Sequence, residues 1–312
     1  MAIVGARGFG RFHAQWYARL GCQVIAFVSS SAKTLKQNSE ALRQVVPNFQ
    51  GRGYDSLEQM LEMEKPDAVS ICSPPHLHLD QVFLCLRHGV HVMCEKPLVW
   101  LGAAEGGEAL CQAKRLVRTV EETKRIFAIN TQYAAAWTYL ADLFPSIGKS
   151  DQISLTIQAR LKPQPSSPLD LWVDLGPHPL SLLFRIFPQL VNPPDRLEAE
   201  AVGQSLSLRF PVVPDGGPLV TLTVGRVPEP LERSLSWDGK KVFFEAHRDE
   251  TGYFQTRLKW NGQEKIVEDL MQTSIRRFVS AVLGSGKVLC DHREALQQMT
   301  WLVGVVQKGV IS

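Results

Sequence analysis

Short apolar runs alternate with amphipathic stretches along the first part of the chain. Ala2-Ile3-Val4 and Gln23 to Val28 read as strands, with helical character from Arg11 to Leu20 between them. Thr34 to Val46, closed by Pro47, and Ser56 to Met63, capped by Asp55 or Ser56, read as helices. Ala68 to Cys72 is a buried-type strand with a non-helical exit at Ser73-Pro74-Pro75. Leu79 to His88 follows as an amphipathic helix with Gly89 as its C-cap, and the apolar run from His91 stops at Glu95-Lys96-Pro97. A helix from about Ala103 to Leu116 and a closing strand at Phe127 to Asn130 complete the series. Strand–helix–strand alternation of this kind predicts a doubly wound parallel sheet.

From Gln152 the period changes to two. Ile153 to Ala159, Ser205 to Phe210, Leu219 to Val224, Lys241 to Ala246, Phe254 to Trp260 and Lys265 to Glu268 alternate apolar and polar residues, as half-buried antiparallel strands do. Turn signals at Pro214-Asp215-Gly216-Gly217, Asp238-Gly239 and Asn261-Gly262 separate them. Ala134 to Phe144 reads as a connecting helix, Pro163 to Pro168 as a mobile loop, and Met271 to Leu283 and Glu294 to Val306 as two final helices. The predicted fold class is therefore α/β: an N-terminal Rossmann domain over residues 1–128, then an α+β domain with an open, mostly antiparallel sheet over 129–312. The two final helices can pack back on the first domain.

Composition narrows the partners. The 312 residues carry a net charge of +3 with no Lys/Arg block, which gives no footprint for nucleic acid. No apolar run has the length of a membrane span, and no secretory leader is readable. The six cysteines lack paired spacing, so a reduced, cytoplasmic protein with neither disulfides nor a metal is expected.

Three stretches carry candidate chemistry. Gly5-Ala6-Arg7-Gly8-Phe9-Gly10 lies between strand and helix, where glycines permit close backbone approach and a helix N-terminus offers N–H groups to a pyrophosphate. In G-x-G-x-x-G the second glycine falls on Arg7, and Gly8 restores the turn one residue later. After the second strand, where an NAD site carries Asp or Glu, stand Ser29, Ser30 and Ser31 with Lys33 nearby. Hydroxyls, Lys33 and Arg7 suit a 2′-phosphate, so NADP is expected with NAD as the other possibility. The serines are equally suited to capping the next helix. Lys96 is delivered to the carboxyl edge of the sheet, where open α/β folds bind ligands, although a surface Lys-Pro turn would read the same way. Asp174 and His178, four apart at the opening of an apolar helix running to about Phe187, can share a face. The carboxylate would then orient a general base, or else cap the helix with the histidine packed beneath.

Together these pieces resemble the Gfo/Idh/MocA family, the relatives of glucose–fructose oxidoreductase and inositol dehydrogenase. Gly5 to His13 resembles the family's glycine loop, including a histidine three residues after the last glycine. Ser73-Pro74-Pro75-His76-Leu77-His78 resembles T-P-N-x-x-H, Gly89 to Pro97 is close to G-x-H-V-x-x-E-K-P, and Asp174 to His178 resembles D-x-x-x-H. Pro75 stands for an asparagine, and Ser181 stands where many relatives carry an aspartate. The resemblance implies an NADP(H)-dependent oxidoreductase moving a hydride between nicotinamide and a sugar, polyol or related small molecule. Lys96, Asp174 and His178 would be catalytic. Gly5, Arg7, Gly8, Phe9, Gly10, Ser29, Ser30, Ser31, Ser73, Pro74, His78, Glu95 and Lys96 would bind the cofactor. It also implies a homo-oligomer. Gln132, Tyr133, Arg160 and Trp172 are candidates for lining a substrate pocket. The alternative is a non-catalytic nucleotide-binding regulator or sensor on the same fold. The retained Lys96, Asp174 and His178 favour the enzyme.

Overall fold

The structure is a computed structural model that describes residues 1–214 and 217–311. The chain divides into two compact units, Met1–Asn130 with Ser274–Leu296, and Thr131–Thr273 with Gln297–Ser312.

The first unit is built on a six-stranded parallel sheet. Its strands are β1 (Ala2–Val4), β2 (Ala26–Val28), β3 (Arg52–Tyr54), β4 (Ala68–Ile71), β5 (His91–Glu95) and β6 (Phe127–Asn130), in the order β3-β2-β1-β4-β5-β6. Every residue of β1, β2, β4 and β6 is buried, which explains why these strands are apolar throughout rather than alternating. The helices between them are α1 (Phe9–Arg19), α2 (Ala32–Val45), α3 (Leu57–Glu64), α4 (His78–Arg87) and α5 (Gly106–Thr123). The order of the strands reverses at β1, and β4 lies on its other side. Such a switch point opens a crevice at the carboxyl ends of the strands.

The second unit carries an eight-stranded sheet. Its strands are β7 (Gln152–Arg160), β8 (Glu198–Val202), β9 (Ser205–Pro211), β10 (Leu219–Val227), β11 (Arg233–Trp237), β12 (Lys240–Arg248), β13 (Phe254–Trp260) and β14 (Gln263–Glu268). They are ordered β14-β13-β12-β11-β7-β10-β9-β8, antiparallel except for the β7–β10 pair. A short helix α6 (Trp137–Leu143) precedes the sheet. One face of the sheet is apolar: Ile153, Leu155, Ile157, Leu206, Leu208, Phe210, Val220, Leu222 and Val224 are buried. Helices α7 (Pro168–Leu175) and α8 (Pro177–Ile186) pack on this sheet.

Helix α9 (Leu270–Val282) contributes Phe278 to the first unit, edge-on to Tyr17. Of the last helix, α10 (His292–Gln307), the second unit takes the C-terminal part, which buries Met299, Trp301 and Leu302. There the Trp172 indole N–H donates to the Leu302 carbonyl at 3.2 Å. Trp172 is thus fully buried core and not a pocket residue. Among the described residues no helix is long and apolar enough to cross a membrane. The turn expected at Pro214-Asp215-Gly216-Gly217 falls at Asp215 and Gly216 outside the described residues.

Candidate active site

At the carboxyl edge of β1 the chain turns over Gly5 and Gly8, whose φ angles are +80° and +58°. A Cβ on Gly5 would lie 2.7 Å from the Cys72 carbonyl oxygen, and one on Gly10 would lie 2.2 Å from the Gly5 carbonyl oxygen. Both contacts are with backbone, so neither position tolerates a side chain without moving the loop. The left-handed geometry falls on Gly5 and Gly8, so Arg7 can stand between them with an exposed side chain. The cap of α1 makes no side-chain hydrogen bond, which leaves first-turn N–H groups for an anion. The cradle therefore fits a dinucleotide pyrophosphate in spite of the altered spacing.

The serines after β2 are not equivalent. Ser29 is buried, and its hydroxyl accepts from the Asn38 amide at 2.6 Å. Ser31 caps α2 in a reciprocal box with Thr34. Ser30 and Lys33 are exposed. Helix capping, one of the two roles open to these residues, thus falls to Ser31 alone.

After β4, Ser73 donates to the Gln81 side-chain oxygen at 2.6 Å. Pro74 leads into a short 3-10 turn, Pro75–Leu77. His78 is buried, with Nε2 2.7 Å from the Ser73 carbonyl and Nδ1 2.9 Å from the Pro97 carbonyl. The ring ties together the loops that follow β4 and β5, and burial lowers its pKa. Lys96 is half-buried and leaves the end of β5 beside this tie.

Glu95 is buried at the end of β5. Its Oε1 accepts from His13 Nε2 at 2.9 Å and from the Asn130 amide at 2.6 Å, while His13 Nδ1 lies 2.8 Å from Ser70 Oγ. Burial opposes the charge on Glu95, but His13, Lys96 and Asn130 outweigh it and hold the carboxyl below its ordinary value. For His13, burial works against protonation, yet Cys72 and Glu95 prevail and raise it to about 10. Neither His13 nor Asn130 is among the residues expected from the sequence to form the site. The signal for His13 was present: it shares the buried face of α1 with Gly10, Ala14 and Tyr17, at helical spacing.

In the second unit, Asp174 occupies the last turn of α7 rather than the first turn of the helix that carries His178. Gly176 separates the two helices, and a Cβ there would meet the Trp172 carbonyl at 2.4 Å. The C-terminal end of a helix disfavours a carboxylate. Two cations compensate: Arg226 Nη2 donates to Asp174 Oδ2, and Lys162 Nζ lies 3.1 Å from the same oxygen. Arg226 also donates from Nη1 to the Arg160 carbonyl at 2.8 Å. His178 is the second residue of α8; its Nδ1 lies 3.1 Å from the Thr131 carbonyl. A carbonyl only accepts, so Nδ1 carries the proton, and in the neutral ring Nε2 is the basic nitrogen. The Tyr133 ring stands edge-on to the imidazole at 5.4 Å, and Ser181 donates to the His178 carbonyl at 2.8 Å.

Residues 1–131 match the oxidoreductase family with an NAD-binding Rossmann fold, Gfo/Idh/MocA. The chain is 29% identical over 125 residues to UDP-N-acetylglucosamine 3-dehydrogenase of Acidithiobacillus ferrooxidans, covering 40% of this chain and 37% of that protein. It is 31% identical over 136 residues to D-glucoside 3-dehydrogenase of Escherichia coli, covering 42% of this chain and 36% of the relative. The matched stretches thus span little more than a third of either relative. The solved structure of the Acidithiobacillus enzyme superposes with a TM-score of 0.74 at 21% identity, over 100% of this chain and 98% of that one. A 3-ketoreductase mutant from Actinomadura kijaniata, solved with TDP-benzene and NADP, has a TM-score of 0.70 at 18% identity over 99% and 96% of the two chains. At these identities the structural likeness concerns the fold.

Proposed function

We propose, for a chain whose first 131 residues match the Gfo/Idh/MocA oxidoreductase family, an NADP(H)-dependent oxidoreductase acting on a CH–OH group of a sugar or polyol-like compound. The observation that carries this reading is Lys96 at the carboxyl end of β5, in the same sheet whose β1 ends in the glycine cradle. Ligands of open α/β sheets bind at that edge. The names of the relatives support a carbohydrate substrate, since each matched dehydrogenase named above acts on a sugar derivative.

The nicotinamide cofactor supplies the hydride when bound. The backbone of Gly5 to Gly10 and the start of α1 hold its pyrophosphate. Lys96 donates a hydrogen bond to the reacting oxygen, which stabilises charge developing there. His178 moves the proton through Nε2, its ring oriented by the Thr131 carbonyl. Asp174 is a weaker candidate for direct chemistry, because Arg226 and Lys162 already hold one carboxylate oxygen. Preference for NADP is supported by exposed Arg7 and Lys33, by exposed Ser30 where an acidic residue would repel a 2′-phosphate, and by NADP in one relative's structure. A reduced cytoplasmic setting is supported by six free cysteines, three of them buried.

The test is a panel of sugars and polyols followed at the nicotinamide absorbance. Lys96→Met is expected to lower turnover about a hundredfold or more with nucleotide affinity little changed. His178→Asn is expected to lower it similarly and to flatten the pH–rate profile near neutrality. Full turnover in folded Lys96→Met would remove the enzyme reading. Nucleotide binding without turnover of any compound in the panel would favour a regulator on the same fold.

A further inference from the structure

We propose that His13 is a positioning residue for Lys96, acting through Glu95 as a buried imidazolium. This rests on the reading of Lys96 as a site residue and adds a component that the sequence motifs do not assign.

The arrangement of partners around the ring favours the charge. A carboxylate accepts only, so the 2.9 Å contact with Glu95 Oε1 puts a proton on His13 Nε2. Asn130 must present its amide nitrogen to the same Oε1, because its oxygen there would face another acceptor. On the other side, Tyr17 donates its hydroxyl proton to Met93 Sδ at 3.2 Å. Ser70 Oγ lies 2.8 Å from His13 Nδ1 and has lone pairs that can accept a second ring proton. With Cys72 and Glu95 holding the ring's pKa at about 10 against the effect of burial, both ring nitrogens donate and the ring is cationic. His13, Ser70 and Tyr17 are each 0% exposed, so no water completes a different pattern.

The titratable neighbours come from every element packed around the ring. Glu95 comes from β5, Cys72 from the end of β4 and Tyr17 from the same helix; Ser70 and Asn130 are the neutral partners on β4 and β6. Tyr17 stays protonated because burial raises its pKa. The result is an ion pair spanning the underside of the switch point. One end is on α1, the helix that the glycine cradle opens. The other is the residue before Lys96, whose charge couples to Glu95. The imidazolium fixes the Glu95 carboxylate and cancels its charge, so Lys96 leaves β5 from a fixed, near-neutral base. With an unpaired carboxylate beside it, the ammonium would be drawn back onto Glu95.

The test uses the full chain and needs no substrate. With 15N-labelled histidine, His13 (assigned with His13→Gln) is expected to keep both ring protons at about pH 8, where ordinary histidines are neutral. A neutral His13 ring at that pH overturns the proposal on the unaltered protein, whatever the variants do. With 13Cε-labelled lysine, His13→Gln should move the Lys96 titration midpoint up by about one pH unit and Glu95→Gln should move it down; the double variant should return it toward wild type. Folded single variants with an unmoved Lys96 midpoint would also overturn it, since a purely structural network predicts lower melting temperatures and no such opposed shifts. Loss of the enzyme reading, through an active Lys96→Met, would leave these titrations as they are and is a separate result.

Discussion

Arg226 sits on β10 in phase with Val220, Leu222 and Val224, which point into the apolar face of the sheet. A cation there needs partners, and it has the Asp174 carboxylate and the Arg160 carbonyl. Arg226→Met keeps much of the volume but takes from Asp174, at the unfavourable end of α7, its buried cationic partner, with Lys162 still beside the carboxylate. Asp174 is about a third exposed, so the cost should fall below that of a fully buried pair, at about 1–3 kcal/mol in urea unfolding. A stability change within error would show the pair to be dispensable. Arg226 escapes the sequence pattern because the alternation is plain only to Val224, and Gly225 obscures the phase of the residue after it. At the other candidate edge, the exposed hydroxyl is Ser30, while Ser29 is already held by Asn38. Ser30→Asp should shift nucleotide preference toward NAD by tenfold or so, as repulsion of a 2′-phosphate is worth about 1–2 kcal/mol. Calorimetry in which the unaltered protein binds NAD more tightly than NADP would refute this reading of the loop.

The elements most legible in the sequence are those whose burial is extreme. β1, β4, β5 and β6 are apolar runs because helices cover both faces, and the glycine turn and the Lys96-Pro97 stop mark their carboxyl ends. β3 and β8 are edge strands with mostly exposed residues, so no apolar pattern announces them. β11 is missed because Arg233-Ser234-Leu235-Ser236-Trp237 has only two large apolar residues. α7 hides behind the proline-rich stretch, since Pro168 is not a breaker but its first residue, with Ser167 as cap. That displacement put Asp174 at the wrong end of its helix. The glycine turn offers a test at this scale. Gly10→Ala drives a Cβ into the Gly5 carbonyl, whereas Gly8→Ala meets no atom within 4 Å and suffers only from its positive φ. Gly10→Ala should therefore weaken NADPH binding by more than tenfold. Gly8→Ala should cost only the backbone strain of about 1 kcal/mol. Equal losses in a fluorescence titration would mean that the loop does not act as a cradle.

At the scale of the whole molecule, the eight-stranded sheet offers the surface on which a contact between copies can be tested. The face opposite the apolar one carries rows of hydroxyls: Thr221, Ser154 and Ser236 are in register across β10, β7 and β11, as are Ser207, Thr223, Thr156 and Ser234 from β9 to β11. Ser234 is buried and donates to Glu232, while the other hydroxyls are part-exposed and within reach of water, so the middle of the sheet supplies little drive for association. The β12–β14 end differs. Phe243 and Ile266 lie on this same face, 36% and 44% exposed, with Lys241 over the Phe243 ring. Large apolar side chains held open on a rigid sheet mark a contact surface. Combined with the hydroxyl rows, they predict a homo-oligomer whose contact centres on this end and whose remainder is polar and wet. Light scattering at micromolar protein should give a mass above the 34.8 kDa of one chain. Phe243→Glu with Ile266→Glu should bring it to the monomer with little change in melting temperature, because neither side chain supports the core. A monomer from the unaltered chain would rule out association at this concentration. An oligomer that survives both substitutions would place the contact on another surface.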